Sequence, residues 1–422
     1  MTDRPAAGPP QELRRRLGTS DAVVIGLGSM IGAGIFAALG PAARAAGSGL
    51  LLGLALAAAV AYCNATSSAR LAARYPASGG TYVYGRERLG PFWGYLAGWA
   101  FVVGKTASCA AMALTVGSYA WPEQSHAVAV AAVVALTAVN YAGVHKSARL
   151  TRVIVAAVLA VLAAVVTVVL SSGRAEAMRL DIGSDTSFAG VLQAAGLLFF
   201  AFAGYARIAT LGEEVRDPRR TIPRAVPTAL AITLVVYAAV ALAALAVLGA
   251  DVLAAAGAPL VEAAEAAGAP GLAPVVRAGA AAAALGSLLA LILGVSRTTL
   301  AMARDRHLPR TLAAVHPRFG VPHHAELAVG AVVAVLAATA DLRGAIGFSS
   351  FGVLVYYAVA NASAWTLTRT EGRPPRVIPT LGLLGCLALA FALPVSSVLT
   401  GSAVLAAGAA WYAARRWSTR RR

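Results

Sequence analysis

Glycines interrupt two apolar stretches of this sequence that are otherwise long enough to span a membrane. Residues 25–36 hold four glycines, and residues 199–205 hold one. Because lipid offers no hydrogen bonds, a helix break at membrane depth is tolerated only where the freed N–H and C=O groups line a cavity or meet a ligand. Exposed amides at the positive end of a half-helix suit a carboxylate. The two stretches are therefore predicted to form the two halves of one site for a small solute.

A second interpretation of these glycines stays open. Small residues also allow neighbouring membrane helices to pack closely, as in small-xxx-small contacts. A dinucleotide site is excluded, although Gly26, Gly28 and Gly32 superficially match a glycine fingerprint. That fingerprint requires a preceding strand, a soluble βαβ unit and a downstream acidic residue. The sequence offers none of the three.

Two positive charges, Lys105 and Arg207, lie inside apolar runs. A charge at the bilayer centre costs about 2.5–3.5 kcal/mol on insertion scales, so such residues often serve a function. Lysine can lose its proton when buried, as arginine practically cannot. We hypothesise that Lys105 is a movable positive charge that braces the first half-helix or contacts an anionic group. Alternatively, both residues snorkel or pair with nearby carboxylates. The candidate carboxylates are Asp21, Glu213 and Glu214.

The sequence offers no arrangement of residues typical of an enzyme or a metal site. It lacks the Gly-x-Ser-x-Gly and His-Glu-x-x-His patterns and has no paired carboxylates within its apolar runs. Cys63, Cys109 and Cys386 lie within apolar runs without a paired motif and are interpreted as small hydrophobic residues. We therefore predict no cofactor, no metal and no catalytic residue. An intramembrane enzyme is the less favoured alternative.

The composition indicates a membrane protein that crosses the bilayer many times. Of the 422 residues, 59% are hydrophobic and only 13% are charged, and the mean hydropathy is +0.73. These values are far too apolar for a soluble domain of this length. Apolar runs of about 20 residues, the length that spans a bilayer, recur almost to the end of the chain. An all-α membrane protein with about twelve transmembrane helices is predicted.

The basic residues are distributed unevenly between the two sets of connections that join these runs. Arginines cluster in alternate connections, at 70–88, 216–224, 297–318 and 369–376, and again after residue 414. We call this the arginine-rich side and the opposite one the arginine-poor side. Because cytoplasmic connections carry the excess of Lys and Arg, both termini are predicted to be cytoplasmic, in a multi-pass protein of the cell membrane that contacts lipid. The alternation argues against nucleic-acid binding, which gathers basic residues on one face.

The spacing of the two interrupted runs suggests how the chain is organised. They are the first and sixth spans, and an odd number of helices per repeat inverts the second copy relative to the first. One transmembrane domain is expected over residues 19–416, between cytoplasmic tails at 1–18 and 417–422. Its predicted parts are repeat one at 19–171, repeat two at 187–368 and two extra helices within 377–414.

Four motifs, in order along the chain, carry a family resemblance. They are Gly32-Ala33-Gly34-Ile35-Phe36, the stretch 199–205, the loop 213–223 with Glu-Glu at its start and two prolines, and Arg297 followed by 301–309. Together they resemble the signatures of the amino acid, polyamine and organocation (APC) transporter superfamily. The resemblance implies a secondary transporter, or permease, with the LeuT-type 5+5 inverted repeat, broken helices 1 and 6, and alternating access.

The resemblance also implies a substrate site. The substrate carboxylate would meet the backbone of the first break, at Ile31, Gly32, Ala33 and Gly34. The amino group would face carbonyls of the second break, at Phe200, Ala203 and Gly204. Phe200 would stand where an aromatic gate is usual.

Two departures from the family pattern bear on coupling and specificity. Many sodium-independent members carry a lysine in the fifth span, where Val158 stands here, and an acidic residue often follows Tyr205, where Ala206 and Arg207 stand here. A positive charge at that place disfavours dicationic substrates. The predicted substrate is a neutral L-amino acid. The alternatives are an acidic amino acid or other organic anion, or an exchange reaction, and co-transport of a proton or of sodium stays open.

Two charged clusters lie in the arginine-rich connections, at Glu213–Glu214 and at Arg304–Asp305. The acidic residues of the first cluster could carry protons. Their neighbours Arg216, Arg219 and Arg220 favour a salt-bridge network that latches the loop. Both clusters are therefore predicted to help close the inward gate.

Overall fold

The protein is almost entirely helical in the part of the chain that the structure describes. This computed structural model describes residues 17–76, 79–143, 148–183, 186–209 and 215–420. Ten of its helical segments are long and apolar enough to cross a membrane, and two shorter apolar helices span His323–Thr339 and Val377–Ala392. Within the described ranges, β-pairing is limited to one bridge between Leu17 and Val215. The all-helical membrane architecture is thus confirmed, whereas twelve crossings stay a prediction.

Seventeen α-helices make up most of the part of the chain that the structure describes. The first eight are α1 (Thr19–Met30), α2 (Ala33–Ala37), α3 (Leu39–Ala46), α4 (Leu50–Arg74), α5 (Thr81–Leu89), α6 (Pro91–Ala120), α7 (Ser125–Tyr141) and α8 (Ala148–Ser171). The next nine are α9 (Phe188–Phe202), α10 (Ala206–Ala209), α11 (Pro218–Ala255), α12 (Pro259–Ala266), α13 (Ala273–Arg304), α14 (His323–Thr339), α15 (Leu342–Trp365), α16 (Val377–Ala392) and α17 (Val395–Arg420).

Helix α6 runs through the centre of the bundle and packs against α13 and α15. Glycine makes this approach possible: a Cβ placed on Gly352 of α15 would lie 2.9 Å from the Cα of Gly104 on α6. Small residues at such contacts let backbones meet closely, which is how helices associate where no water drives them together. The helices that lead into the interrupted segments also have packing partners: α1 packs against α11, and α9 packs against α4.

The first interrupted span leaves the helical conformation completely. Helix α1 ends at Met30, Ile31 has φ −79° and ψ 60°, and Gly32 has φ −113° and ψ −137° before α2 begins at Ala33. Neither pair of angles is helical. The break therefore falls at the second half of the predicted glycine stretch.

The second interrupted span tightens but does not leave the helix. Helix α9 ends at Phe202, and a 3₁₀ turn over Ala203–Tyr205 leads into α10. Ala203 keeps right-handed helical angles. A tighter i→i+3 turn still frees backbone groups, because its hydrogen bonds do not continue the α-helical ladder. Both spans are interrupted, as the glycines predicted, but in two different ways.

The two interruptions touch each other. A Cβ on Gly204 would lie 2.2 Å from the carbonyl oxygen of Ser29, and one on Gly34 would lie 2.5 Å from the Cα of Ala201. Real Cβ atoms do not approach backbone this closely, so glycine is required at both positions for steric reasons. The close packing and the helix breaks proposed from the sequence therefore occur together.

Candidate functional site

A cavity of about 210 Å³ lies beside the two interruptions. It is bounded by α1, α6, the segment from α9 to α10, and α13. Its polar and charged lining residues are Ser29, Tyr82, Lys105, Ser108, Arg207, Ser287, Arg297, Thr298 and Tyr356. Gly79 and Tyr82 also line it, so the cavity extends from the interruptions toward the arginine-rich side.

The structure brings only part of the predicted substrate site to this cavity. Phe200, Ala203 and Gly204 of the second interruption line it. The predicted residues of the first interruption lie outside the lining, and Ser29, one turn earlier in α1, is there instead. The residues outside are Ile31, Gly32, Ala33 and Gly34, all buried. Substrate contacts at these four residues stay a prediction.

Side-chain hydroxyls hold the carbonyls around the first interruption. The Tyr237 hydroxyl on α11 lies 2.5 Å from the Met30 carbonyl oxygen and 3.1 Å from that of Ala201, so one phenol joins both interrupted spans. The Ser287 hydroxyl on α13 donates to the Gly28 carbonyl at 3.1 Å. Because buried carbonyls need donors, these contacts stabilise the break in the present conformation.

A lysine ammonium meets the carbonyl of the second interruption. Lys105 Nζ donates to the Ala203 carbonyl oxygen at 3.4 Å, and the Tyr357 hydroxyl donates to the same oxygen at 3.3 Å. The Lys105 side chain is only 7% exposed, and no described carboxylate forms an ion pair with it. The roles predicted for Lys105 did not include this contact with the backbone of the second interruption.

The cavity wall carries positive charge. Lys105, Arg207 and Arg297 line it, and none of its described lining residues is an aspartate or a glutamate. In a setting of low dielectric constant, such charges attract an anion and repel a cation much more strongly than they would in water. The arrangement therefore suits a solute with at least one acidic group.

A hydrogen-bonded network lies beside Tyr82, at the arginine-rich end of the cavity. Asp305 accepts from the Tyr82 hydroxyl and, at 3.0 Å, from Arg86 Nη1. His307 Nδ1 lies 2.9 Å from the same Tyr82 oxygen. Burial, and then the neighbouring Asp305, raises the pKa of Tyr82 above its ordinary value, so the phenol keeps its proton and donates. Burial lowers the pKa of His307.

The predicted gate clusters have different outcomes. Asp305 belongs to this network, whereas Arg304 is exposed and forms no ion pair with the described residues. Glu213 and Glu214 lie outside the described residues. A second network on the same side joins Glu371 to Arg88 and, at 3.2 Å, to Arg74. Backbone and arginine hydrogen bonds lower the pKa of Glu371 to about 2, so this carboxylate stays charged and holds α4 and α5 near the end of α15.

Residues 21–372 match the family model of the amino acid permeases. The chain belongs to this family. The APC resemblance drawn from the four motifs is therefore confirmed, and the protein is a transporter rather than an enzyme.

Some relatives of this permease are named for a solute and others are not. This permease is 77% identical over 412 residues to an uncharacterized transporter of Mycobacterium tuberculosis, and the match covers 98% of this chain and 94% of the relative. It is 26% identical over 415 residues to the branched-chain amino acid permease BcaP of Bacillus subtilis, covering 91% and 89%. It is 28% identical over 414 residues to the chloroplastic cationic amino acid transporter 7 of Arabidopsis thaliana, covering 91% and 71%.

Several residues that contact the site in this permease were not predicted from the sequence. Tyr237, Tyr357 and Ser287 are polar groups in apolar helices, and a buried tyrosine hydroxyl usually finds a partner. That rule marks such residues as candidates but does not give their partners. Arg297 was noted only as part of a motif, and the structure places it in the lining of the cavity.

Proposed function

We propose that the protein is a secondary active transporter that moves an amino acid across the cell membrane by alternating access. The observation that supports this most directly is the cavity beside two adjoining helix interruptions, in a chain of the amino acid permease family. The proposal includes the LeuT-type arrangement, with repeats at 19–171 and 187–368, additional helices at 377–414, and both termini in the cytoplasm. Lipid surrounds the bundle.

The contacts on the arginine-poor side support a conformation that is sealed there. The Tyr119 hydroxyl donates to the Phe36 carbonyl at 2.9 Å, and Arg277 donates to the Tyr119 carbonyl at 3.0 Å. Arg44 donates to the Ala254 carbonyl at 2.8 Å. We infer that these bonds break when the cavity turns to the arginine-poor side, while the Tyr82–Asp305 network holds the arginine-rich end closed.

We propose that the substrate carboxylate binds at the first interruption, beside Ser29 and the amides of residues 31–34. A neutral L-amino acid would then place its amino group at Phe200, Ala203 and Gly204. An acidic amino acid or another organic anion is a second candidate, and the positively charged lining favours it. Its additional acidic group would meet Lys105, Arg207 or Arg297. Exchange of one amino acid for another is compatible with the same site.

The test is transport by the purified protein in lipid vesicles. Vesicles loaded with unlabelled L-leucine or L-aspartate are diluted into the same radiolabelled amino acid. A carrier gives saturable counterflow, with the labelled solute accumulating transiently and remaining chemically unchanged. Non-saturating flux would indicate a channel, and chemical conversion would indicate an enzyme, so either result would overturn the proposal.

Replacement of Lys105 separates the two substrate candidates. Lys105→Met removes the ammonium and keeps much of the apolar stem. For an anionic substrate we expect at least about a tenfold loss of affinity, since breaking one buried charged contact costs several kcal/mol. For a neutral amino acid we expect a change of less than about threefold, or tighter binding, because the Ala203 carbonyl becomes available. Lys105→Arg is the control that keeps the charge.

A further inference from the structure

Glu326 is a buried carboxylate without a hydrogen-bonding partner among the described residues. It lies in the first turn of α14 and is 0% exposed, and neither of its carboxylate oxygens accepts a hydrogen bond. Burying a charge in this way is costly, and each unsatisfied buried group calls for an explanation. A carboxyl group that takes up and releases a proton is one such explanation, because the neutral form is much cheaper to bury.

A cluster of imidazoles lies between the protein surface and the helical turn that holds Glu326. His324 is exposed and its ring lies 4.2 Å from that of His323, which in turn lies 5.3 Å from that of His316. His323 is half-buried, and its Nδ1 has no hydrogen-bonding partner among the described residues. His323 and Glu326 are three residues apart on one helix and therefore share a face. Imidazole exchanges protons near neutral pH, as a relay requires.

Glu326 is also linked electrostatically to the cavity. Helix α13 packs on α14, and its Arg297 is near enough to interact electrostatically with the Glu326 carboxyl and also lines the cavity. The elements packed on α14 carry other titratable groups. These are His126 and Tyr141 on α7, Tyr95, Lys105, Cys109 and Tyr119 on α6, Arg277 and Arg304 on α13, and Arg310 in the turn that precedes α14. His126 lies at the opposite end of α14 from Glu326, 2.8 Å from the Ala337 carbonyl oxygen.

We propose that Glu326 is the proton-binding site that couples transport to proton movement, with His323 as its relay. This inference rests on the proposed transport function. Glu326 takes up a proton in the conformation whose cavity is open to one side of the membrane and releases it in the conformation open to the other. On the arginine-rich side the proton passes between a Glu326 oxygen and water through the His323 imidazole. When Glu326 is protonated and neutral, the charge of Arg297 is available to an anionic group of the substrate. When Glu326 is ionised, it competes for that charge, so proton and substrate anion bind together.

The first test uses a proton gradient. Coupling of one proton to one substrate concentrates the substrate about tenfold per unit of pH difference. We expect such accumulation of L-aspartate, or of L-leucine if only that amino acid gives counterflow, in vesicles with wild-type protein. Glu326→Gln, which mimics the protonated form, should lose gradient-driven accumulation and keep counterflow. Glu265→Gln, at an exposed carboxylate of α12, is the matched control and should behave like the wild type.

The outcomes separate this inference from the proposed function. Counterflow with undiminished proton-driven accumulation in Glu326→Gln would overturn the role of Glu326 and leave the transporter intact. Accumulation driven by sodium and not by protons in the wild type would do the same. Absence of any counterflow in the wild type would overturn the proposed function itself, and the coupling role with it.

Two further measurements do not depend on transport. Because Glu326→Gln removes an unpartnered buried charge, the thermal midpoint of this variant should equal or exceed that of the wild type, and a marked decrease would show that the carboxylate has a structural partner. Infrared difference spectra between low and high pH should contain a carboxylic-acid band that Glu326→Gln lacks, and a band of equal size in that variant would exclude Glu326 as the group that titrates.

The relay has a separate kinetic test. His323→Gln should slow proton-driven uptake without lowering the final accumulation, because a relay changes the rate at which the proton reaches Glu326 and not the number of protons coupled. An unchanged rate would exclude the relay.

Discussion

The two helix interruptions differ in both backbone and partners. At the first, Ile31 and Gly32 leave the helical conformation, and neutral hydroxyls hold the neighbouring carbonyls. At the second, the backbone only tightens over Ala203–Tyr205, and the Ala203 carbonyl receives an ammonium group and a phenol. A hydrogen bond from a neutral hydroxyl in a packed core holds the backbone in one place. The hydrogen bond from a lysine beside a cavity can be exchanged for a bond between that lysine and a ligand.

This difference suggests a division of roles. The first interruption is built into the framework, because Tyr237 bonds both interrupted spans at once. The second contributes the cavity wall and a charge that can move. The predictions below test the packing of the two interruptions against each other, the packing of the first against α13, and the donors that hold the carbonyls of each.

The largest effect is expected for Gly204→Ala. The new Cβ would lie 2.2 Å from the Ser29 carbonyl oxygen and 2.7 Å from the Met30 amide nitrogen. Backbone atoms of α1 cannot rotate away, so the two interruptions must separate. We expect a loss of stability at or above the upper end of the range of about 1–3 kcal/mol that is typical of overpacked sites, and loss of transport.

Thermal unfolding in detergent and vesicle counterflow measure these two effects. Gly257→Ala is the control, because a Cβ there has nothing within 4 Å. Normal stability and transport of Gly204→Ala would mean that the two interruptions do not touch in the working protein.

A smaller and partly reversible effect is expected for Gly32→Ala. Its Cβ would lie 2.2 Å from the Ser287 Oγ and 2.9 Å from the Ser287 Cβ. Removing the hydroxyl in a Gly32→Ala, Ser287→Ala double variant should therefore restore part of the stability that Gly32→Ala loses. Because the two residues are in contact, the double-mutant cycle should give a coupling energy of about 0.5–3 kcal/mol. Strictly additive effects would argue against this contact.

The sequence was most informative about the positions of the interruptions. Glycines within apolar runs marked both, because glycine in a membrane helix indicates either a helix break or a close approach of two helices. The choice between close packing and a helix break could not be made, and at Gly32, Gly34 and Gly204 the structure shows both. None of these three glycines has a positive φ, so contact distance rather than backbone angle makes them necessary.

Partners far apart in the chain could not be predicted in the same way. Lys105 was singled out because a charge in an apolar run is costly, but its contact with Ala203 joins residues 98 positions apart. Tyr237 and Tyr357 carried no signal beyond being polar in apolar helices. Glu326 was overlooked because it lies at the start of a short apolar helix, where a carboxylate is ordinarily favoured by the helix dipole. Only the fold reveals that it is buried.

The smallest effects are expected for a matched pair of tyrosine variants. Tyr237→Phe leaves the carbonyls of Met30 and Ala201 without their hydroxyl donor, which should cost about 1–3 kcal/mol of stability. Tyr357→Phe removes a donor from the Ala203 carbonyl, but Lys105 still donates to that oxygen, so we expect a cost of about 0.5–1.5 kcal/mol. In a Lys105→Met background the cost of Tyr357→Phe should rise toward that of Tyr237→Phe, because Ala203 then loses both donors. Equal costs of Tyr357→Phe in the two backgrounds, measured by thermal unfolding, would mean that Lys105 does not hold the second interruption.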